Sequence, residues 1–187
     1  MIKWNLSDLP ELKVGDCLAF EAIGLQKIVH IIGAKSCHWA MVGERLVDDS
    51  ISEGDYSISD STFKGITTHL LSEYRNWGMR VYRPKLSPGR QKVLAPFLIK
   101  RYCYYGICSY DWFGVLNVAL WVLLKKIGFK IAWWEDKLSY TDTRFWCLEF
   151  NEIVWRDMGF PLVPENEPPH PGNMEQSPNL ELIWGIY

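Results

Sequence analysis

The stretch AKSCHWAMV, Ala34 to Val42, sets His38 at the mouth of a short apolar run, with Cys37 directly before it. The run Trp39 to Val42 predicts a strand. The following residues, "GERLVDDS", predict a hairpin, with a turn through Gly43-Glu44-Arg45 and a return strand from Leu46 to Asp49. This antiparallel reading sets the fold class, because it puts His38 at a strand entrance and Asp48 or Asp49 near the end of the neighbouring strand. A catalytic base and the carboxylate that orients it stand in that relation. Neighbouring residues of a strand point to opposite faces, so Cys37 is poorly placed as a nucleophile for His38. A thiol that answers His38 has to come from elsewhere in the chain.

The chain of 187 residues, 48% of them hydrophobic, is expected to form a single domain over residues 1–187. Lys and Arg number 20 against 22 Asp and Glu, a formal charge of -2, so no net positive field draws the protein to nucleic acid. Ten Trp, nine Tyr and eight Phe either build a core or line a groove for an apolar or extended partner. The five cysteines form no CxxC pair and their odd number leaves a thiol free, which points to a reducing compartment or a working thiol. No metal or organic cofactor is expected. The N-terminal sequence lacks the basic segment and apolar run of a secretory signal, so a cytoplasmic location is expected. The apolar stretch Trp112 to Leu124 contains Asn117 and is shorter than the ~20 residues that cross a bilayer. It reads as a buried helix with no transmembrane segment, though its character leaves room for contact with a membrane surface.

Along the chain, Val14-Gly15-Asp16 precedes a predicted strand from Cys17 to Ala22, and Leu25 to Gly33 has the spacing of a short helix. His30 lies within that helix and reads as structural. Ser50 to His69, rich in Ser, Thr, Asp and Gly, reads as a loop with short strand segments, and His69 as the opening of a short helix. Gly78 to Pro84 predicts a strand, and Pro88 to Tyr105 a helical pattern interrupted at Pro96. After the apolar helix and an aromatic excursion comes "FWCLEFNEIVWRDMG", with Trp146, Phe150, Ile153, Val154 and Met158 near helical spacing and Gly159 as its C-cap. The proline-rich tail, residues 161–187, is expected to wrap the surface in extended form.

Cys147 is the cysteine best placed to answer His38. It falls near the start of the last helix, where free amides and the helix dipole favour a thiolate, but by only ~0.3 to 1 kcal/mol, so an adjacent imidazolium is required. Cys17 sits in a predicted strand, and Cys103 and Cys108 in an aromatic segment without a histidine. These read as structural.

In order and spacing, "VGDCLAF", "SCHWAMV" and "FWCLEFNEIV" resemble the circularly permuted branch of the NlpC/P60 papain-like superfamily. That branch contains the YiiX-like proteins and is related to lecithin:retinol acyltransferases. "YYGICSYDWFG" and "HPGNMEQSP" are similar to its pre-nucleophile segment and its C-terminal wrap. The resemblance implies an α+β, permuted papain-like fold in which an antiparallel sheet packs against the helix that bears the nucleophile. It implies Cys147 as nucleophile, His38 as general base and Asp48, in "LVDDS", as the third residue, with Asp49 as the alternative. Two departures stand out: Cys37 separates Ser36 from His38, and Leu148 replaces the family's common Ser, whereas Glu149 matches. Tyr110 and the Cys147 amide would meet the oxyanion.

The function so implied is a cysteine-dependent hydrolase of amide or peptide bonds, working through an acyl-enzyme on a peptide or peptidoglycan fragment. Two other readings remain open. One is a thioesterase, phospholipase or acyltransferase acting on an acyl-lipid substrate; the other is a noncatalytic binding protein.

Overall fold

The computed structural model describes residues 3–21, 35–47, 54–62, 65–105, 112–128, 147–164 and 167–186. It shows a mixed α+β fold in which one antiparallel sheet packs against helices. The strands are β1 (Cys17–Glu21), β2 (Ser36–Leu46), β3 (Asp55–Thr62), β4 (Gly65–Leu70), β5 (Met79–Pro84) and β6 (Leu180–Ile186), in the order β4-β3-β2-β1-β5-β6. Each neighbouring pair is antiparallel.

β1 lies between β2 and β5, and Cys17 to Phe20 are fully buried. Both faces of the sheet are covered. Cys17, Ala19, Trp39 and Met41 join the larger core cluster with the helices, while Leu18, Phe20, Ala40 and Val42 join a second cluster with Trp4 and Leu71. Double coverage accounts for the unbroken apolar runs of β1 and β2, since one solvated face would have produced alternation.

The predicted hairpin is corrected. β2 runs through Gly43-Glu44-Arg45 as one strand, and its ladder with β3 shifts register between Val42 and Arg45. Gly43 marks a close approach instead of a turn: a Cβ there would lie 2.5 Å from the Ser57 hydroxyl oxygen. The return strand is β3, so Ser50 to His69 is no mere loop but carries two full strands. Ser59, Asp60 and Ser61 are buried within it, where their polarity had suggested solvent. The predicted helix from Leu25 to Gly33, with His30, lies outside the described residues, as do Asp48, Asp49 and the aromatic excursion from 129 onward.

The helices are α1 (Pro88–Tyr105), α2 (Trp112–Lys126), α3 (Cys147–Asp157) and α4 (Pro171–Glu175). α1 continues through Pro96, where Lys92 and Pro96 are both exposed, so water can serve the carbonyl that proline leaves without a donor. α3 packs on β2 and β3 and is locked to the turn before β1. Gly15 has φ of +90°, and its carbonyl accepts from the Trp155 indole at 3.1 Å. A Cβ at Gly15 would lie 2.5 Å from the Trp155 ring, so only glycine fits. Next to it, buried Asp16 accepts from the Arg83 guanidinium at 3.0 and 2.7 Å.

At the far end of α3, Gly159 has φ of +70°, as the C-cap reading requires. The buried Glu152 carboxylate accepts from the Leu162 amide at 2.7 Å and pairs with Arg156, which ties down the chain after the helix. Burial raises its carboxyl to about 6 even against that guanidinium. The tail is more regular than a wrap: it forms α4, capped by His170, and then β6, which pairs with β5 as an edge strand of the sheet.

Candidate active site

His38 owes its place to two ladders. Across β1 it faces Phe20 directly, and the two rings stack with centroids 5.9 Å apart. Tyr74, on the short 3-10 turn Leu71–Tyr74, stacks on the same phenylalanine at 4.6 Å. On the other side, Asp60 of β3 pairs with Ala40, two residues along β2 from His38 and therefore on the same face. Diagonal neighbours of this kind lie within reach of long and aromatic side chains.

The His38 Nε2 to Asp60 Oδ2 distance is 2.7 Å. The carboxylate is wholly buried, whereas the imidazole keeps 18% of its side-chain surface. Two more donors hold Asp60: the Tyr74 hydroxyl donates to Oδ2 at 2.8 Å and the Thr67 hydroxyl to Oδ1 at 3.2 Å. Thr67 Oγ lies 2.9 Å from His69 Nε2, and His69 Nδ1 lies 3.3 Å from Glu73 Oε2. Because the Thr67 proton points at Asp60, His69 Nε2 must donate to Thr67. His69, next to last in β4, therefore links Asp60 through Thr67 to Glu73 on the 3-10 turn.

Cys147, the first described residue of α3, is 2% exposed and near enough to His38 to help raise its imidazole. Asp60 occupies Nε2 of the ring. The Asn151 amide donates to the Cys147 carbonyl at 2.8 Å, which stiffens the turn that carries the thiol. β2 and β3 thus bring His38 and Asp60 together, and α3 places Cys147, 109 positions after His38, near enough to influence the imidazole.

Burial opposes charge on the His38 ring, but the hydrogen bond to Asp60, followed by the interaction with Cys147, outweighs it and raises the imidazole from 6.5 to about 10. Asp60 is also desolvated, which pushes its carboxyl up; the His38 and Tyr74 bonds reverse this and hold it below 3.8. Burial, reinforced by the Asp60 charge, pushes the Tyr74 phenol up, so it remains a donor. These shifts fix a stability window. A raised histidine stabilises the fold fully below 6.5 and loses that contribution as pH climbs towards about 10. A depressed aspartate stabilises fully above 3.8 and loses its contribution as pH falls further. The pair should therefore contribute most between about 4 and 6.5, and His38→Gln should flatten the decline in urea-unfolding free energy between pH 7 and 10. An unchanged slope in that variant would contradict the assigned ring charge.

Of the residues expected from sequence, Cys147 lies near enough to His38 to influence its charge. Asp48 and Asp49 fall outside the described residues, as does Tyr110, and the carboxylate found on His38 is Asp60. Asp60 was missed, although the alternation Tyr56, Ile58, Asp60 in "DYSISDST" put it on one strand face with apolar residues. The Cys37 thiol lies 3.6 Å from the Glu21 carbonyl. Glu149 stands in the first turn of α3. Among the described residues no group of three or more His, Cys, Asp and Glu is arranged to hold a metal ion. A cavity of about 340 Å³ between the N-terminal segment and the start of β3, lined by Leu6, Pro10, Arg45 and Tyr56 among others, contains none of this cluster. No helix among the described residues is long and apolar enough to cross a membrane. Compared with known proteins, the chain matches no family model and no curated protein.

Proposed function

We propose that the chain is a cysteine-dependent acyl hydrolase, with Cys147 as nucleophile, His38 as its acid and base, and Asp60 holding the imidazole. The nearness of Cys147 to His38, on a ring whose Nε2 is taken by a buried carboxylate, supports this reading. A thiol, an imidazole and an orienting acid in that sequence form the working set of thiol hydrolases. An imidazolium beside sulfur is also the condition under which a thiolate persists near neutral pH.

In the proposed reaction the Cys147 sulfur attacks a carbonyl carbon, forming a C–S bond while the carbonyl π electrons move to oxygen. The Cys147 amide is the expected donor to that oxyanion. The tetrahedral centre collapses, the bond to the leaving group breaks, and His38 passes its proton to the departing nitrogen or oxygen. Water then attacks the thioester with His38 as base, releasing the acid and restoring the thiol. The exposed edge of the His38 ring marks where substrate would approach, since Cys147 itself is buried.

The order of motifs, with a "GD" turn before β1, the histidine on β2 and a late cysteine on a helix, supports a place in the permuted NlpC/P60 papain-like group, for which amide or peptide bonds are the first substrate class to try. In that reading the third residue is Asp60, on the strand after His38, in place of Asp48. An activated ester gives a test free of substrate identity: 4-nitrophenyl acetate should leave one acetyl group on Cys147, detectable by peptide mass spectrometry after an acid quench. Cys147→Ala should show none at that position and no burst of nitrophenol. Equal bursts from both proteins would sink the proposal.

A further inference from the structure

α2 carries apolar residues on two opposite sides. Val118, Trp121 and Val122 point into the main core. At ~100° per residue, Leu116, Leu120 and Leu123 form a stripe on the other side, continued by Ile127 just past the helix end, and they are 43 to 65% exposed. A helix surface of this kind normally meets another apolar surface. α1 adds Val93 and Phe97, exposed by 65% and 54% at i, i+4 spacing.

Charge indicates what the stripe meets. In a chain of net charge -2, α1 has Arg90, Lys92, Lys100 and Arg101, α2 has Lys125 and Lys126, and neither helix has a single Asp or Glu. Lys125 is paired to Glu167 at 2.8 Å; among the described residues Arg90, Lys92 and Lys100, exposed on α1 with Val93 and Phe97, have no acidic partner. Two copies of this face would bring cation against cation, which disfavours a homodimer built on it. An anionic lipid surface supplies both of the missing complements, an apolar layer for the leucines and negative headgroups for the lysines.

We infer that α1 and α2 form a peripheral docking surface for anionic membranes, with the α2 stripe entering the headgroup boundary and the α1 basic residues on the phosphates. The helices lie on the surface without crossing it; α2 is 15 residues long, against the ~20 that a crossing needs. This inference does not depend on the thiol chemistry.

Flotation of the full chain with vesicles of phosphatidylcholine alone, or of phosphatidylcholine with phosphatidylserine, tests it. The protein should float with the mixed vesicles, and raised salt should weaken binding. Leu120→Gln with Leu123→Gln, at exposed positions that leave thermal melting unchanged, should reduce binding at least about tenfold. Lys92→Glu with Lys100→Glu should reduce it by a similar factor, and Cys147→Ala should bind like the parent. Absence of flotation, binding indifferent to phosphatidylserine, or binding that survives the leucine substitutions overturns the inference. So does a lipid-indifferent dimer, seen by sedimentation, that the same leucine substitutions dissociate.

Discussion

Asp60→Ala should lower the unfolding free energy by about 3 to 5 kcal/mol, among the largest losses available to a single substitution in this sheet. The magnitude comes from what is left behind. His38, Tyr74 and Thr67 all direct hydrogen bonds at one buried carboxylate, and its removal leaves all three donors without their acceptor in a largely buried site. Asp60→Asn separates the structural role from the electrostatic one, since an amide nearly fills the space without carrying the charge. The variant should fold, and its His38 should fall back from about 10 towards 6.5, because the Asp60 bond is the chief influence raising it. The alkaline limb of any pH–rate profile should move to lower pH by a corresponding amount. Urea titration of the alanine variant and proton NMR of the His38 ring in the asparagine variant check the two halves. An alanine variant as stable as the parent, or an unshifted imidazole, would show that Asp60 does not govern this site.

The second large effect falls on turnover. His38→Ala removes both the cation that favours a thiolate and the group that protonates the leaving atom, and general acid–base assistance alone is worth about 10² to 10⁴ in rate. Steady-state hydrolysis of 4-nitrophenyl acetate should drop within or beyond that range while circular dichroism stays unchanged. Added imidazole should restore part of the rate if the vacated space lies beside Cys147. A loss confined to KM, with kcat intact, would assign His38 to binding instead.

The fold was legible in the sequence where burial is simple. The strands over Cys17–Glu21 and Met79–Pro84 and the helix through Cys147 follow from apolar pattern, from the proline that ends β5 and from the glycine that caps α3. Of the proposed site, what was legible were the elements at its two ends, a strand at His38 and a helix through Cys147; the pairing of the two residues came from the resemblance. Asp60 was not, for a physical reason. Ser, Thr and Asp near one another ordinarily compete for backbone hydrogen bonds and favour turns. In β3 the neighbouring strands satisfy the backbone, leaving the Asp60 side chain free to accept from three other residues. Gly43 misled in the complementary way, as a close contact with Ser57 that read as a turn. The carboxylate of a triad depends on register, and register is the property that local pattern specifies least.

The most direct measurement is the rate of iodoacetamide alkylation at each cysteine as a function of pH, resolved by peptide mass spectrometry, in the parent and in His38→Ala. Cys37, partly exposed and held against the Glu21 carbonyl, provides an internal reference thiol. The account predicts that Cys147 labels at pH 6 at more than about ten times the Cys37 rate. His38→Ala should erase that advantage. A Cys147 that stays unlabelled, or that follows an ordinary thiol profile whether or not His38 is present, would contradict the catalytic pair.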